Sequence, residues 1–230
     1  MMPNSLHNET WIQILNLEET KLERDYVGED SVSLEDLINM DLPLELLGKW
    51  IEHAKDIGLS EPTAMNIATV DPKGNPRNRM VLQRYIDDKN VGFYTNLGGA
   101  KASEIKSHSA VSATIWWAEI ERQVRIEGTA TEMERDLVDQ YYASRNRNSR
   151  ISAWASKQSQ ELESMSTLQE RFKHFESKFE GQPVPTPPFW GGFLIEVNRI
   201  EYWIGKPYRM HERIVLTKTN EGWDKTRLYP

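Results

Sequence analysis

The polar and apolar positions change from a weak, acidic pattern at the start of the chain to a helical one near Pro43. We interpret residues 1–40 as an acidic arm with a short helix near Trp11 to Leu22, and residues 41–230 as the main domain. An apolar stripe at helical spacing predicts a packing helix capped by Asp41 and ended by Gly58. The stripe consists of Leu46, Leu47, Trp50, Ile51 and Ala54.

From Ala64 the pattern alternates with a period of two, which is typical of strands. Strands are predicted over Ala64–Val70, Arg77–Tyr85, Val91–Thr95, Val111–Trp117 and Gln123–Thr131, and helices over Ala100–Ser107, Glu132–Ser144 and Glu161–Phe179. Short connections predict that the first three strands form an antiparallel meander. Arg145–Ser149 is predicted to be irregular, and the proline-rich stretch Gln182–Pro188 is predicted to form a stiff connection. Evenly spaced strands indicate a closed or nearly closed β-barrel with flanking helices.

The C-terminal pattern predicts a hairpin, with strands Phe193–Ile204 and Tyr208–Leu216 joined by a turn at Gly205–Pro207. Alternation along the second strand places Arg209, His211 and Arg213 on one face. Clustered cations repel one another unless an anion lies among them, which indicates a bound phosphate or carboxylate. The alternative is a solvated edge strand whose charges prevent aggregation, and the hairpin alone slightly favours it.

Composition narrows the possible functions. The chain has 230 residues, no cysteine and a net charge of −7. Disulfides, thiolate nucleophiles and cysteine-ligated metals are therefore excluded, and a nucleic-acid or anionic-membrane partner is not expected. Without an apolar membrane span or a signal-peptide pattern, the expected location is the cytoplasm. The histidines His7, His108 and His174 show no metal-ligand spacing, so no metal site is predicted.

Three further stretches carry candidate chemistry, each beside a structural alternative. The strand Arg77–Arg84 is polar on both faces, as a ligand groove or an exposed edge would be. Gly98–Lys101, between a strand and a helix, offers backbone N–H groups and a lysine to a phosphate, or is simply a turn. Gln123 and Arg125 share a strand face that suits a heterocycle edge or ordinary cross-strand pairing.

A fourth candidate is the set Tyr141, Arg145 and Ser149, whose members are four residues apart. On a continuous helix they would form a row fit to bind phosphate. Asn146 and Asn148 indicate instead that the helix has ended there.

Several motifs resemble the pyridoxine (pyridoxamine) 5′-phosphate oxidase family over Asp41–Pro230. They are Phe189-Trp190-Gly191-Gly192-Phe193, Ile200-Glu201-Tyr202-Trp203, Arg209-Met210-His211-Glu212-Arg213, Arg227-Leu228-Tyr229-Pro230 and Arg79-Met80-Val81-Leu82-Gln83-Arg84. The resemblance implies a mainly β fold with flanking helices (α+β), an antiparallel Greek-key split β-barrel that binds FMN. It also implies a homodimer with FMN held between the subunits.

The resemblance further implies the roles of individual residues. FMN contacts are implied for Arg79, Met80, Val81, Leu82, Gln83, Arg84, Tyr94, Thr95, Lys101, Gln123, Arg125, Gln158, Ser159, Trp203 and Arg213. Substrate contacts are implied for Arg84, Tyr141, Arg145, Ser149, Arg209 and His211, of which Arg209 and His211 are the catalytic candidates.

The implied reaction is FMN-dependent oxidation of pyridoxamine or pyridoxine 5′-phosphate to pyridoxal 5′-phosphate, with O2 as acceptor and H2O2 released. Two alternatives are a same-fold oxidase acting on another aromatic ring, as in phenazine biosynthesis, and a non-catalytic protein that binds flavin or pyridoxal phosphate. The chain departs from the family pattern at Gly99-Ala100, where Ser-Arg is usual, and at Arg84, where lysine is usual. Smaller departures are Asn146 for proline, Met210 for leucine and Glu212 for aspartate.

Overall fold

The computed structural model describes residues 42–230, which form one nine-stranded sheet with five α-helices. The acidic arm, its short helix and the Asp41 cap lie outside the described residues. The helices are α1 Pro43–Asp56, α2 Ala100–Ser107, α3 Arg135–Ser144, α4 Arg147–Ala155 and α5 Met165–Lys178. The strands are β1 Ala64–Val70, β2 Pro76–Leu82, β3 Tyr85–Ile86, β4 Asn90–Asn96, β5 Ala110–Trp117, β6 Arg122–Glu132, β7 Trp190–Ile204, β8 Glu212–Thr219 and β9 Gly222–Arg227.

The sheet is antiparallel and runs in the order β2-β1-β5-β6-β7-β4-β3, with β8 and β9 added beside β7. The predicted antiparallel pairing of the first two strands is confirmed, but the predicted second strand is interrupted after Leu82, and only its last residue, Tyr85 in β3, pairs with β4, whose other partner is β7. Strand β2 stops at Leu82, and the next two backbone amides turn to other acceptors. Gln83 donates to the Thr63 carbonyl and Arg84 to that of Gly92, which carries the chain across to the far side of the sheet.

Helix α1 closes one end of the curled sheet. Its predicted stripe is fully buried, as expected for a packing helix. Trp50 packs edge-on against Tyr202 and Trp117, at ring-centroid distances of 5.1 and 6.2 Å. The Tyr202 hydroxyl donates to the Pro43 carbonyl, so the first turn of the helix is tied to the C-terminal end of β7. Burial raises the pKa of Tyr202, which keeps this donor protonated.

The predicted second strand of the C-terminal hairpin begins later than expected. Tyr208 and Arg209 have φ angles of 59° and 58° in a short 3-10 turn that opens at Pro207. Left-handed backbone does not continue a strand, so β8 starts only at Glu212. Arg209 thus leaves the alternation that was expected to align it with Arg213. Strand β9 was not predicted, and its pairing with β8 means that β8 is not an edge strand.

The helical region after β6 also differs from the prediction. Helix α4 occupies Arg147–Ala155, where irregular chain was expected up to Ser149. It is capped by the Asn146 side chain, whose oxygen accepts the Ser149 N–H at 2.7 Å. The long charged helix begins at Met165, after the cap Ser164, rather than at Glu161.

The packing of α1 yields a stability prediction. We expect Trp50→Ala to lower the free energy of unfolding by about 3–5 kcal/mol, because it removes a large ring that is 1% exposed and leaves a cavity. Urea unfolding followed by circular dichroism measures this loss. Ile57→Ala is the control, since Ile57 follows the same helix and is 48% exposed, and a change within about 0.5 kcal/mol is expected there. Equal losses for both variants would contradict this assignment of the core.

Candidate functional site

A cavity of about 380 Å³ opens between strands β2 and β4 and helices α2, α3 and α4, and we name it the β2–α4 cavity. Cationic, hydroxyl and aromatic side chains share its wall, a mixture that suits a charged ligand containing a ring. The lining residues are Met80, Val81, Leu82, Arg84, Tyr94, Thr95, Asn96, Lys101, Tyr141, Arg145, Ser149, Ser152, Ala153, Ser156, Gln158 and Trp190. Many of the predicted contact residues therefore meet here from distant parts of the chain.

One wall of the cavity is a stack of parallel rings. The ring centroids of Tyr94 and Tyr141 lie 4.0 Å apart with 6° between the planes, and those of Tyr94 and Trp190 lie 5.5 Å apart with 1°. Burial raises the pKa of Tyr94, so its hydroxyl stays protonated. Trp190 was not predicted as a site residue. It belongs to the aromatic and glycine run that carries the family resemblance, which is the signal that could have identified it.

Arg145 lies against this aromatic wall. Its Cζ is 4.9 Å from the centre of the Trp190 ring, and its Nη1 is buried without a hydrogen-bond partner among residues 42–230. Burial lowers the pKa of this guanidinium, although nearby Tyr141 acts in the opposite direction. A guanidinium keeps its charge in proteins, and a buried N–H without an acceptor is strongly unfavourable. The geometry therefore favours an anionic ligand at Arg145.

Tyr141, Arg145 and Ser149 all reach the cavity, but not as one helical face. Helix α3 ends at Ser144 and α4 begins at Arg147, so the chain turns a corner between them. The Asn146 cap fixes that corner. A helix-to-helix corner, rather than a row on one continuous helix, brings the three side chains around the cavity.

Lys101 occupies another part of the same cavity. Its Nζ donates to Gln158 Oε1 at 2.7 Å and to Thr95 Oγ1 at 3.0 Å. Burial lowers the pKa of Lys101, and neighbouring Arg79 lowers it further. Both hydrogen-bond acceptors are neutral, and no carboxylate of the described residues is within ion-pair distance of Nζ. Like Arg145, this ammonium is placed to receive an anion.

The glycines of the loop before Lys101 allow a close approach. Gly98 donates its N–H to the Asn96 side chain at 2.8 Å, which folds the junction between β4 and α2. A Cβ added at Gly99 would lie 2.7 Å from Gln158 Oε1. Glycine at this position therefore lets the Gln158 amide lie beside Lys101.

Arg79 does not line the cavity but lies beside the lysine. Its guanidinium donates to Glu104 Oε2 at 2.8 Å and to the Thr69 hydroxyl. Burial acts to raise the pKa of Glu104, but hydrogen bonds from Thr69 and Arg79 hold it below its usual range. Glu104 thus stays ionised. Arg77 approaches the other oxygen of the same carboxylate at 3.8 Å, so two guanidinium groups converge on it.

The end of the predicted FMN-binding strand divides between two environments. Arg84 lines the cavity, and its Nη1 donates to Thr63 Oγ1 at 3.1 Å. The Gln83 side chain is buried, does not line the cavity, and donates to the Tyr85 carbonyl at 2.6 Å. Ser159 likewise does not line the cavity, but it follows Gln158 and adopts a φ of 67°. FMN contacts at Gln83 and Ser159 stay predictions.

A second group of predicted residues lies elsewhere on the protein. Registers across β5, β6, β7 and β8 place four side chains in one line, which we name the outer-face row: Trp116, Gln123, Trp203 and Arg213. Their strand neighbours, such as Val124 and Tyr202, point into the core. Trp116 is 47% exposed and packs edge-on against Trp203 at 5.7 Å. None of the row lines the β2–α4 cavity.

Arg213 is held by an ion pair, and because β8 begins only at Glu212, the expected alignment of Arg209, His211 and Arg213 on one strand face is not formed. Its Nε and Nη2 lie 2.9 and 2.8 Å from Glu201 Oε1. Arg125 Nη1 lies 3.4 Å from the other oxygen of Glu201. Cross-strand pairing, the structural alternative considered for Arg125, is therefore what this side chain makes.

His211 lies beside the outer-face row, with its ring 4.5 Å from that of Trp203. Burial, and then the charge of Arg209, lowers the pKa of His211, so the imidazole is neutral at pH 7. Its Nδ1 accepts the Lys206 backbone N–H at 3.2 Å, which leaves the proton on Nε2. In this tautomer Nε2 is a hydrogen-bond donor and not a proton acceptor.

Residues 42–230 contain neither a group of candidate metal ligands nor a helix that could span a membrane. The His, Cys, Asp and Glu side chains there form no group of three or more that could hold a metal ion. No helix in that part of the chain is both long enough and apolar enough to span a membrane.

Comparison with known proteins links both groups of residues to one family. A family model described as pyridoxamine 5′-phosphate oxidase matches residues 51–179. A second, described as the pyridoxine 5′-phosphate oxidase C-terminal dimerisation region, matches residues 190–230. The β2–α4 cavity is built mainly by the first segment, whereas Trp203, Arg209, His211 and Arg213 belong to the second.

Individual relatives agree with the family models. A pyridoxine/pyridoxamine 5′-phosphate oxidase from Rubrobacter xylanophilus is 44% identical over 188 residues, covering 82% of this chain and 87% of that protein. One from Aliivibrio fischeri is 40% identical over 212 residues, covering 91% and 98%. The crystal structure of PhzG from Burkholderia lata, in complex with tetrahydrophenazine-1-carboxylic acid, has a TM-score of 0.82 and 27% identity, covering 88% of this chain and 100% of that one. The predicted split β-barrel fold is confirmed.

Proposed function

The chain belongs to the pyridoxine/pyridoxamine 5′-phosphate oxidase family, whose members are FMN-dependent oxidoreductases, and from this premise we propose how its site works. Pyridoxamine or pyridoxine 5′-phosphate is oxidised to pyridoxal 5′-phosphate in the β2–α4 cavity, with O2 as acceptor and H2O2 as the second product. One observation carries this assignment of the site. Arg145 and Lys101 are two partly buried cations in one cavity, and no carboxylate of the described residues lies within ion-pair distance of either. The cofactor and the substrate each bring one phosphate, which matches two separate cations.

The residues around Lys101 fit the phosphate end of FMN. Lys101 supplies the charge, and Arg79 supplies a second cation whose position is fixed by Glu104. Thr95 and Gln158 already hydrogen-bond with Lys101 and with each other, so they can exchange those bonds for bonds to the cofactor. The exposed side chains of Met80 and Leu82 on β2, and of Arg84 just after that strand, would lie along the ligand.

Arg145, Tyr141, Ser149 and Arg84 would hold the substrate phosphate. A charge-assisted hydrogen bond from Arg145 to this phosphate would give the buried Nη1 the acceptor that it lacks among residues 42–230. The stacked rings of Tyr94, Tyr141 and Trp190 keep this end of the cavity rigid, because each plane is fixed by its neighbour. Binding of the phosphate thereby orients the substrate ring and holds the reacting carbon in place.

We propose that the functional unit is a homodimer in which the outer-face row of one protomer meets the β2–α4 cavity of its partner. The predicted flavin contacts Gln123, Trp203 and Arg213 do not reach the cavity of their own protomer. The row exposes a tryptophan among polar groups, as interface centres commonly do. The family model over residues 190–230 is itself described as a dimerisation region.

Within such a dimer, Arg209 and His211 would act on the substrate ring. FMN, when bound, supplies the hydride acceptor and the route by which electrons reach O2. The neutral His211 would donate a hydrogen bond from Nε2 to a ring oxygen, and Arg209 would help to hold the ring in the orientation from which the hydride leaves. Neither residue is required to remove a proton as a general base.

A same-fold oxidase of another aromatic ring is the second candidate, favoured by the similarity to PhzG. It would leave the phosphate set of Arg145, Tyr141 and Ser149 without its ligand. The discriminating experiment loads the purified protein with FMN and measures anaerobic bleaching of the flavin and peroxide release in air. Pyridoxamine 5′-phosphate should give both signals. Activity on an unphosphorylated tricyclic carboxylic acid alone would replace the proposal by this candidate, and flavin binding without turnover on any ring would indicate a binding protein.

We expect Arg145→Ala to raise KM for pyridoxamine 5′-phosphate by about 10- to 100-fold with little change in bound FMN, because a charge-assisted hydrogen bond to the substrate phosphate is lost. Steady-state peroxide release gives KM, and flavin absorbance gives FMN content. Lys157→Ala is the control, since it removes the same charge from an exposed side chain that does not line the cavity. An unchanged KM in Arg145→Ala would remove Arg145 from the substrate site.

Ala100→Arg should tighten FMN binding by about tenfold or more, because it adds a guanidinium beside Lys101 at the proposed phosphate end of the cofactor. Position 100 borders a second cavity with Arg77 and Glu104, which gives the new side chain room. Titration with FMN, followed by quenching of flavin fluorescence, measures the change. Ser107→Arg adds the same charge about 10 Å further along α2 and serves as control. Equal dissociation constants for Ala100→Arg and the unsubstituted protein would show that Lys101 and Arg79 already suffice.

The composite site predicts complementation between two defective subunits. A heterodimer of one Arg145→Ala subunit and one Arg209→Ala subunit carries one intact and one doubly defective site, so about half of the wild-type activity is expected. Two different affinity tags isolate the heterodimer, and peroxide release is measured at low substrate concentration. Each homodimer should be nearly inactive under these conditions. An inactive heterodimer would mean that each protomer builds its site alone.

A further inference from the structure

Glu201 is a buried carboxylate without a predicted role in the reaction. It is 2% exposed and lies on β7 between the core residues Ile200 and Tyr202, with its own side chain on the opposite face. A buried charge is tolerated only when it is paired and hydrogen-bonded. The cationic partners of Glu201 are therefore the groups whose positions this carboxylate can fix.

Its principal partner is Arg213. Arg213 faces Trp203 across the β7–β8 pair, which makes Glu201 its diagonal neighbour. Nε and Nη2 of the guanidinium both donate to Glu201 Oε1, at 2.9 and 2.8 Å. Nη1 donates to the Tyr229 carbonyl at 3.0 Å, which holds the other end of the group. The plane of the guanidinium is thus defined by a carboxylate on one side and a backbone carbonyl on the other.

These bonds leave two donors available. A guanidinium carries five N–H groups, and three have partners among the described residues. One N–H remains on each terminal nitrogen. Both terminal nitrogens belong to a side chain in the outer-face row beside Trp203, and the guanidinium is partly exposed there.

We propose that Glu201 is a positioning residue for the flavin: it acts through Arg213 by presenting the two remaining N–H groups to acceptors on the flavin ring. The proposal rests on the proposed function, which assigns Arg213 to FMN. Arg125 and Arg199 lie 3.4 and 3.7 Å from the second oxygen of Glu201. Their two positive charges face the carboxylate from the side opposite to Arg213. Glu201 itself need not touch the cofactor, because its first oxygen is already occupied by Arg213.

A double-mutant cycle on FMN affinity tests this role. Glu201→Gln keeps the shape of the side chain but removes its charge, and we expect it to raise the dissociation constant of FMN by about tenfold. In an Arg213→Ala background the same change should have no further effect on FMN affinity, because the group that Glu201 orients is gone. Glu127→Gln is the matched control, since Glu127 lies on the same sheet face and pairs with Arg199 at 2.6 Å without contacting Arg213.

A merely structural role gives a different result. In that case Glu201→Gln would lower the melting temperature and weaken FMN binding by the same factor with or without Arg213, which would overturn the proposal. An unchanged dissociation constant in Glu201→Gln would also overturn it. If Glu201→Gln does not fold, Glu201→Asp replaces it, because the shorter side chain keeps the charge but moves the carboxylate away from Arg213. Failure of the unsubstituted protein to bind FMN would instead refute the proposed function.

Discussion

The alternation of side chains along β7 is the constraint on which the rest of the structure depends. This strand has 15 residues and pairs with β6 along one edge and with β4 and then β8 along the other, so its register is fixed by three neighbouring strands. One face sends Ile200, Tyr202 and Ile204 into the core under helix α1. The other face carries Glu201 and Trp203. A shift of one residue in register would exchange the two sets, burying a carboxylate in the apolar core and exposing a tyrosine, and this makes the register highly specific.

The same strand connects the two parts of the proposed site. Its first residue, Trp190, lies beside Arg145 in the β2–α4 cavity. Its C-terminal end carries Trp203 and pairs with β8. The aromatic wall and the outer-face row are therefore held at a fixed relation by one continuous strand. In a symmetric dimer, each protomer can contribute its aromatic wall to one of the two sites and its outer-face row to the other. No rearrangement within the protomer is needed.

Local patterns in the sequence predicted local structure well. The stripe around Trp50 identified α1 and its buried face, and the bounds of α2 were predicted at Ala100 and Ser107 as the structure has them. Pairing over long distances was harder, because alternation does not specify a partner, and β4 pairs with a strand about a hundred residues away instead of with β2. Left-handed backbone at Tyr208 and Arg209 also escaped prediction, since neither residue type signals it. The residues of the cavity came from the family resemblance, whereas their separation into two groups required the fold.

The cations of the site differ in how their charge is balanced, and this difference separates structural from ligand-binding roles. Arg213 and Arg79 each donate to a buried carboxylate, so their positions are fixed whether or not a ligand is present. Lys101 donates only to the neutral groups of Thr95 and Gln158, and Arg145 lies against the Trp190 ring. Burial lowers the pKa of both cations, and a bound phosphate would stabilise their charged forms. The carboxylate Glu104 opposes phosphate binding near Lys101, but Arg77 and Arg79 together outweigh it by one charge. The corner around Lys101 therefore stays cationic even though Ala100 contributes no guanidinium.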